Sequence, residues 1–260
     1  MAKKIGLLIV HGIGTQKPGY SASFVGSLKS VLGRISDAPD VVVQEVCWQG
    51  LLQPAEDGFI RRSPKLGWMA VRRLFVSYAA DALAYQPAET GCNTYATIHR
   101  EIDKAFRTLL SKIPEDAPIA IVCHSLGTVM VTNFLWDMLE EQSGGRVAFG
   151  PCRRTVRSLP RVKLLVTAGS PIAVWSLRYL HGGTPIWLSD GSKWINVYSP
   201  NDVIGYPLKG INSLYFRHPQ IEDVEMYVGS FLSRLTPLAH TAYFEDRGFI
   251  ARVAKELSGL

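Results

Sequence analysis

The sequence lacks the features that would place it in a specialised structural class. It contains no apolar run close to the roughly 20 residues that a membrane-spanning helix requires, and it has no internal repeat or low-complexity tract. Charged residues make up only 19% of its 260 residues, whereas hydrophobic residues make up 47%. This balance is typical of a globular chain with a well-buried core. We therefore expect a single α/β domain over 1–260.

Cysteine is scarce, and its four positions have no metal-ligand spacing, so we expect no metal site. Cys47 and Cys123 fall in predicted core strands, and free buried thiols in a cytoplasmic protein are the simplest explanation. The apolar start of the chain, Ile5–Val10, is short and His11 follows it directly, so we interpret it as a first strand rather than a signal peptide.

The net charge of +6 comes largely from clusters of arginine and lysine. We favour a solvated basic surface over attraction to an acidic substrate or peripheral contact with anionic lipid, although both alternatives stay open. No basic run is interleaved with aromatic residues as a nucleic-acid groove would be, so no nucleic-acid partner is expected. The sequence gives no indication of the oligomeric state. The clusters are Arg61-Arg62, Arg72-Arg73 and Arg153-Arg154, followed by Arg157, Arg161 and Lys163.

Apolar strand patterns alternate with helical patterns along the chain. Such alternation predicts a mostly parallel central sheet flanked by helices. The predicted strands are Ile5–Val10, Val41–Trp48, Ile119–Cys123, Val162–Thr167, Trp194–Tyr198 and, less regularly, Glu222–Val228. The predicted helices are Ser21–Ile35, Tyr95–Leu110, Thr128–Leu139, Ile172–Leu180 and Arg247–Leu257.

Two regions interrupt this alternation. Gln49–Gly91 is rich in aromatic residues and contains a helical pattern at Leu66–Tyr85, which would form either a cap over a site or an ordinary outer helix. Glu140–Arg161 contains glycines and several arginines, and we expect it to be a surface excursion.

A serine lies at the turn between a strand and a helix. In Ile119–Gly127 an apolar strand leads into Cys-His-Ser-Leu-Gly, and a helical pattern follows. A serine hydroxyl needs exposure, a base and oxyanion donors before it becomes a useful nucleophile, and a strand-turn-helix apex supplies the first of these. We therefore predict Ser125 as a nucleophile, with the N–H of Leu126 at the helix N-terminus as an oxyanion donor.

The loop after the first strand is the second candidate. His11-Gly-Ile-Gly14 would lie at the carboxyl end of that strand, where ligands bind in α/β sheets. Its glycines allow the backbone to approach a ligand closely. We predict that the N–H of Ile13 supplies the other half of an oxyanion hole. We further predict that His11, Gly12, Gly14 and, beside the serine, His124 support the loop or the substrate.

An acid and a base are expected later in the chain. Asp202 follows the strand Trp194–Tyr198 directly, which favours it over Asp190 and Asp223. His240 lies in a loop before the last helix, with room to reach back to the serine, and we prefer it to His218.

Together these motifs resemble the α/β-hydrolase superfamily, specifically its serine esterase and lipase-like members. The resemblance covers nearly the whole chain in motif order, except Gln49–Gly91 and Glu140–Arg161, and it departs from the usual elbow at Cys123. It implies a Ser-Asp-His triad and a two-step acyl-enzyme mechanism without a cofactor.

Two classes of function follow from these motifs. The first is an esterase acting on a small-molecule or lipid ester, and an amidase, thioesterase or acyltransferase would use the same triad. The second is a catalytically inactive binding protein that keeps the fold, since fold does not imply function. All three members of the candidate triad are present, which favours the first class.

Overall fold

The computed structural model describes residues 3–12, 17–48, 85, 94–144, 153–229 and 237–260. Its strands are β1 (Lys4–Val10), β2 (Asp40–Val46), β3 (Ile119–His124), β4 (Val162–Ala168), β5 (Lys193–Tyr198) and β6 (Ile221–Glu225). Its α-helices are α1 (Ala22–Leu32), α2 (Thr94–Leu110), α3 (Leu126–Gln142), α4 (Arg153–Ser158), α5 (Ile172–Ser176), α6 (Ser213–Arg217) and α7 (Arg247–Ser258). Short 3₁₀ turns lie at Leu159–Arg161, Leu180–Gly182, Pro237–Thr241 and Tyr243–Glu245.

All six strands pair in parallel, in the order β2-β1-β3-β4-β5-β6. The chain moves from β1 to β2 on one side and then crosses to β3 on the other side of β1. The strand order therefore reverses between β1 and β3, and ligands bind at the carboxyl ends of the strands at such a switch point. The predicted parallel sheet flanked by helices is confirmed.

Side chains of the sheet alternate between two apolar cores. Along β1, Leu8 and Val10 pack into the core that α2 and α3 cover, whereas Ile5, Leu7 and Ile9 pack into the core that α1 and α7 cover. Every residue of β1 after Lys4 is buried. Because both faces of the sheet are covered, the strand is apolar throughout instead of alternating with polar residues.

Helix α7 anchors the segment that precedes it. Asp246 caps the helix, and its side chain accepts hydrogen bonds from the N–H groups of Gly248 (2.8 Å) and Phe249 (3.0 Å). Phe249, Val253 and Leu257 are buried on one face of the helix, where they pack against the sheet. This packing fixes the chain a few residues after His240.

Three sequence expectations need correction. Cys47 is exposed rather than buried, because β2 ends at Val46, whereas Cys123 is buried as expected. Helix α5 ends at Ser176, since the chain turns at Leu180–Gly182. Part of the expected surface excursion is packed: α3 continues to Gln142, and the buried Thr155 donates a hydrogen bond to Asp103 at 2.5 Å.

The basic clusters are only partly a free surface. The Arg161 guanidinium donates to the carbonyls of Ala117 (2.9 Å) and Pro114 (2.6 Å), and Lys163 donates to Ser189 (3.1 Å). Arg157 is exposed. Among the described residues, no helix is long and apolar enough to cross a bilayer.

Candidate active site

The candidate residues meet at the carboxyl edge of the sheet, beside the switch point. Ser125 follows β3, and its N–H donates to the carbonyl of Ala168 at the end of β4 (3.0 Å). His11 and Gly12 follow β1, and Asp202 follows β5. The parallel arrangement therefore brings together loops that are far apart in the sequence.

Ser125 occupies a strained backbone conformation. Its φ of 54° and ψ of −135° lie outside the regions that residues with a Cβ ordinarily adopt. Such strain costs on the order of 1–3 kcal/mol and persists only where the surrounding structure imposes it. Here β3 and α3 fix the chain on both sides of a sharp turn, as expected for a nucleophile elbow.

Two glycines allow the backbone to close around this serine. A Cβ on Gly12 would lie 2.3 Å from the Cβ of Ser125, and a Cβ on Gly127 would lie 2.3 Å from the carbonyl oxygen of His11. Neither position has room for a side chain. The loop after β1 and the turn after β3 are thus in direct van der Waals contact.

Ser125, His240 and Asp202 form a continuous hydrogen-bonded chain. His240 Nε2 lies 2.7 Å from Ser125 Oγ, and His240 Nδ1 lies 3.0 Å from both carboxylate oxygens of Asp202. An ionised carboxylate only accepts, so Nδ1 carries the proton and Nε2 is left as the acceptor for the serine hydroxyl. This is the tautomer that a general base requires.

These three hydrogen-bonded side chains are almost completely removed from solvent. The exposed fractions are 0% for Ser125, 1% for His240 and 5% for Asp202. The expectation that the turn exposes Ser125 is therefore wrong, because Gly12 and His240 pack against its side chain.

Burial alone would raise the pKa of Asp202. Hydrogen bonds from His240, from the N–H of Ile204 (2.9 Å) and from Tyr243 outweigh that effect and hold its pKa below the ordinary value. Asp202 is therefore a carboxylate at neutral pH.

Tyr243 is a fourth member of this network that the sequence analysis missed. Its hydroxyl donates to Asp202 Oδ2 (2.9 Å) and accepts from the N–H of Ser199 (2.9 Å), and its ring is fully buried. Burial and the nearby Asp202 charge raise its pKa, so it keeps its proton. No local pattern marks it, because its distance from Asp202 is set by the fold.

Gly169 was also missed, although the segment that contains it follows β4 at the same edge. It has a φ of 54°, and a Cβ there would lie 2.9 Å from Asp202 Oδ2 and 3.2 Å from His240 Nδ1. The side chains of Asp202 and His240 therefore pack directly on the backbone of Gly169. The position of Ala168-Gly169-Ser170 after a strand was the signal that could have identified it.

His124 holds the loop that carries His240. Its Nε2 donates to the main-chain carbonyl of His240 (2.7 Å), and its ring packs against those of Tyr243 and Phe244. Burial and the neighbouring His240 lower the pKa of His124 to about 3, so the ring is neutral. This contact agrees with a supporting role for His124.

His11 braces the loop after β1. Its ring stacks on Trp48 at 5.2 Å and meets the edge of Tyr20 at 4.7 Å, while Nδ1 donates to the Gly12 carbonyl at 2.6 Å. Burial lowers its pKa to about 4, although the Gly12 hydrogen bond and Glu45 oppose that shift. A neutral, stacked imidazole is suited to holding a loop.

The remaining candidates lie elsewhere or are not described. The His218 ring packs at a tilt against Trp187 (4.2 Å between ring centroids), and Asp223 accepts hydrogen bonds from the N–H groups of Leu208 and Lys209. Leu126 begins α3, so its N–H has no acceptor within the helix. Ile13, Gly14 and the candidate cap at 49–91, apart from Tyr85, lie outside the described residues.

Comparisons with known proteins return structural neighbours only. No protein-family model and no curated protein matches the chain. An esterase domain from Rhodothermus marinus has 15% identity and a TM-score of 0.42 over 98% of this chain and 84% of its own. Est1E from Butyrivibrio proteoclasticus has 10% identity and a TM-score of 0.44, over 100% and 87%. An esterase from Pyrobaculum calidifontis has 11% identity and a TM-score of 0.45, over 99% and 77%.

The sheet and the serine turn by themselves define the architecture. A parallel sheet carries a strained serine between a strand and a helix, and the polar residues follow in the chain order Ser, Asp, His. These are the features of the α/β-hydrolase fold.

Proposed function

We propose that this α/β-hydrolase-fold protein is a serine hydrolase that cleaves carboxylic esters through an acyl-enzyme intermediate. The observation that carries the proposal is the hydrogen-bonded order Ser125–His240–Asp202, at 2.7 and 3.0 Å among buried side chains. A buried serine that is both strained and paired with an oriented imidazole is poorly explained as a packing feature.

In the first step, His240 Nε2 takes the proton of Ser125 as the hydroxyl oxygen attacks the acyl carbonyl carbon. The Asp202 carboxylate stabilises the imidazolium that forms, and Tyr243 keeps that carboxylate in place. His240 then protonates the departing alkoxide. In the second step, water attacks the acyl-enzyme by the same route, and the acid leaves with Ser125 regenerated.

The developing oxyanion requires donors next to Ser125. The N–H of Leu126 is suited to this role because it begins a 17-residue helix whose N-terminus carries partial positive charge. We retain the N–H of Ile13 as its partner, since Gly12 places the loop after β1 in contact with Ser125.

Steady-state kinetics on a short activated ester, such as 4-nitrophenyl acetate, tests the proposal. We expect Ser125→Ala or His240→Ala to lower kcat by about 10⁴-fold or more, and Asp202→Asn by about 10³–10⁴-fold. Because the residues act as a unit, the Ser125→Ala/His240→Ala double variant should be no slower than either single variant. His181→Ala, which removes an exposed histidine, should leave the rate unchanged.

Two results would decide against the proposal. Turnover that survives in Ser125→Ala would show a different nucleophile. A folded protein with no turnover of esters, thioesters or amides would favour a binding protein that keeps the fold.

A further inference from the structure

A cavity of about 390 Å³ lies beside α3, on the face of the sheet that α2 and α3 cover. Its nearest residue on α3 is Val129, one turn after Ser125, and its far residues include Asp137, twelve positions after Ser125. At 1.5 Å per residue the cavity spans roughly 6–18 Å from the nucleophile along the helix axis. Ser125, Asp202 and His240 are not among its described lining residues.

The near wall of the cavity is linked to the serine turn. Thr128 Oγ1 donates to the Ser125 carbonyl (2.7 Å) and lies 2.8 Å from Ser170 Oγ, which accepts from the N–H of Ile172 (3.2 Å). Val129 and Ile172 line the cavity. Val129 directly follows Thr128, and Ile172 lies two residues after Ser170. The near end of the cavity is therefore next to the groups that hold Ser125.

Aromatic rings dominate the lining. The aromatic residues that line the cavity are Tyr95, Trp136, Trp175, Tyr179, Trp194 and Tyr215. Among the described lining residues, only Val129, Ile172 and Ile186 are aliphatic. A long acyl chain is flexible and would be matched by aliphatic walls, whereas broad aromatic faces pack against the face of a ring.

One carboxylate in this lining is held in place and keeps an oxygen available. Asp137 Oδ2 accepts from the Tyr95 hydroxyl (2.8 Å) and lies 3.0 Å from His99 Nδ1. Among the described residues, no group bonds to Asp137 Oδ1, and 20% of the side chain is exposed. A carboxylate only accepts hydrogen bonds, so it selects a ligand that donates one.

Two buried side chains, His99 and Tyr85, lie behind that carboxylate. His99 is fully buried, and the Tyr85 hydroxyl lies 2.6 Å from its Nε2. Burial lowers the pKa of His99, although Asp137 opposes that shift, so its imidazole is neutral. The Asp137 charge is therefore not cancelled by His99.

Arg178, stacked over Trp175 (5.1 Å) and Tyr179 (4.8 Å), supplies a positive charge among the lining residues.

We propose that this cavity binds a hydroxylated ring of the ester substrate, with Asp137 accepting a hydrogen bond from the ring hydroxyl. Ring binding by the cavity is independent of the proposed hydrolase activity, whereas assigning the ring to the substrate rests on it. A phenol and a sugar share this chemistry, and the probes below separate them.

Calorimetric titration of the full-length Ser125→Ala variant tests the binding without depending on catalysis. The probes are 4-ethylphenol, its O-methyl ether 4-ethylanisole, and methyl glucoside. We expect either 4-ethylphenol or methyl glucoside to bind. If 4-ethylphenol binds, its affinity should be at least tenfold higher than that of 4-ethylanisole. Asp137→Asn should reduce that binding about tenfold, because a hydrogen bond to a charged group is stronger than one to an amide. Glu140→Gln, an exposed change on the same helix, should have no effect.

The ring proposal would be overturned by equal affinity for the phenol and its ether with no glucoside binding, by binding unaffected in Asp137→Asn, or by no binding of any ring. The phenol–ether comparison needs no change at Asp137, so it holds even if that variant folds poorly.

Kinetics of the unmodified protein then test whether the ring belongs to the substrate. If 4-ethylphenol binds, the substrates are methyl 5-(4-hydroxyphenyl)pentanoate and its 4-methoxy analogue. If methyl glucoside binds, they are the methyl esters of 5-(glucosyloxy)pentanoate and 5-(cyclohexyloxy)pentanoate. We expect at least tenfold higher kcat/KM for the hydroxylated ester than for its analogue, and we expect Asp137→Asn to abolish that preference. Glu140→Gln should leave both the preference and the rate on 4-nitrophenyl acetate unchanged. Ring binding without this preference would make the cavity a separate ligand site and overturn the substrate assignment. No turnover of any ester would instead count against the proposed hydrolase.

Discussion

At the scale of single residues, the account depends on how Asp202 is held. Its carboxylate is buried, and it is stabilised as an anion by the imidazole of His240, the N–H of Ile204 and the hydroxyl of Tyr243. Removing one donor from a buried charge leaves that charge less well paired. The geometry at Asp202 therefore predicts a measurable role for a tyrosine that never meets the substrate.

Tyr243→Phe should lower kcat on a short ester by about tenfold with little change in KM, because one hydrogen bond to a charged group contributes about 1.5–3 kcal/mol. It should also raise the pKa of Asp202, since a bond to the charged form is lost. Steady-state kinetics measure the loss of kcat, an NMR titration of the carboxyl groups measures the Asp202 pKa, and thermal unfolding shows whether the variant is less stable.

Tyr20→Phe is the matched control for this change. It removes a hydrogen bond of similar length from a tyrosine hydroxyl, but to the uncharged Ile9 carbonyl (2.7 Å) rather than to Asp202. Equal loss of kcat in both variants would mean that Tyr243 acts only through general stability.

His11 predicts a dependence of stability on pH. Burial lowers its pKa from 6.5 to about 4, so below pH 6.5 the unfolded chain binds a proton that the folded chain does not. This contribution is fully present above pH 6.5 and is lost as the pH falls towards 4. Between pH 7.5 and 5.0 it amounts to about 2 kcal/mol of unfolding free energy.

Urea unfolding of the unmodified protein and His11→Phe at the two pH values measures this contribution. The variant retains a ring against Trp48 but cannot titrate, so its stability should fall by about 2 kcal/mol less on acidification. An equal fall in both proteins would show that His11 is accessible to protons in the folded state.

At the scale of elements, the decisive contact joins the loop after β1 to the turn before α3. Gly127 packs on the main chain of His11, and Gly12 packs on the side chain of Ser125. The contact of Gly127 with His11 is between backbones, which cannot move aside as a flexible side chain can. The strained φ of Ser125 is held by this contact and by the two elements that flank the turn.

Gly127→Ala should destabilise the protein by about 2 kcal/mol or more and lower activity, because its Cβ would lie 2.3 Å from the His11 carbonyl oxygen. Gly26→Ala is the matched control. Gly26 lies on the exposed face of α1, and no atom lies within 4 Å of an added Cβ, so this change should stabilise the protein by about 0.5–1 kcal/mol. Chemical unfolding of both variants tests the pair. A Gly127→Ala variant as stable as the unmodified protein would mean that the turn is less tightly packed than described.

Element boundaries were predictable where a periodic pattern continued to the end of the element. The pattern placed β1, α2 and α7 within one or two residues, because each has a long apolar face or a clear cap. It was less accurate at the ends of β2, β6, α1 and α5, where the predicted element ran two to four residues too far. Those ends are set by packing against distant parts of the chain.

At the scale of the whole molecule, six parallel strands bring separate loops to one edge. A position directly after a strand favoured Asp202 over Asp190 and Asp223, and chain order with room to reach Ser125 favoured His240 over His218. The structure places each preferred residue in the hydrogen-bonded chain. Tyr243 and Asp137 could not be identified in this way, because each owes its position to tertiary contacts with residues remote in sequence.

Labelling with a fluorophosphonate probe tests the central claim most directly. The probe phosphonylates only a serine that a neighbouring base activates, and mass spectrometry of the digested protein locates the label. We predict a label on Ser125 in the unmodified protein, strongly slowed in His240→Ala and absent in Ser125→Ala. A folded protein that takes up no label, or takes it up at another residue, would contradict the account.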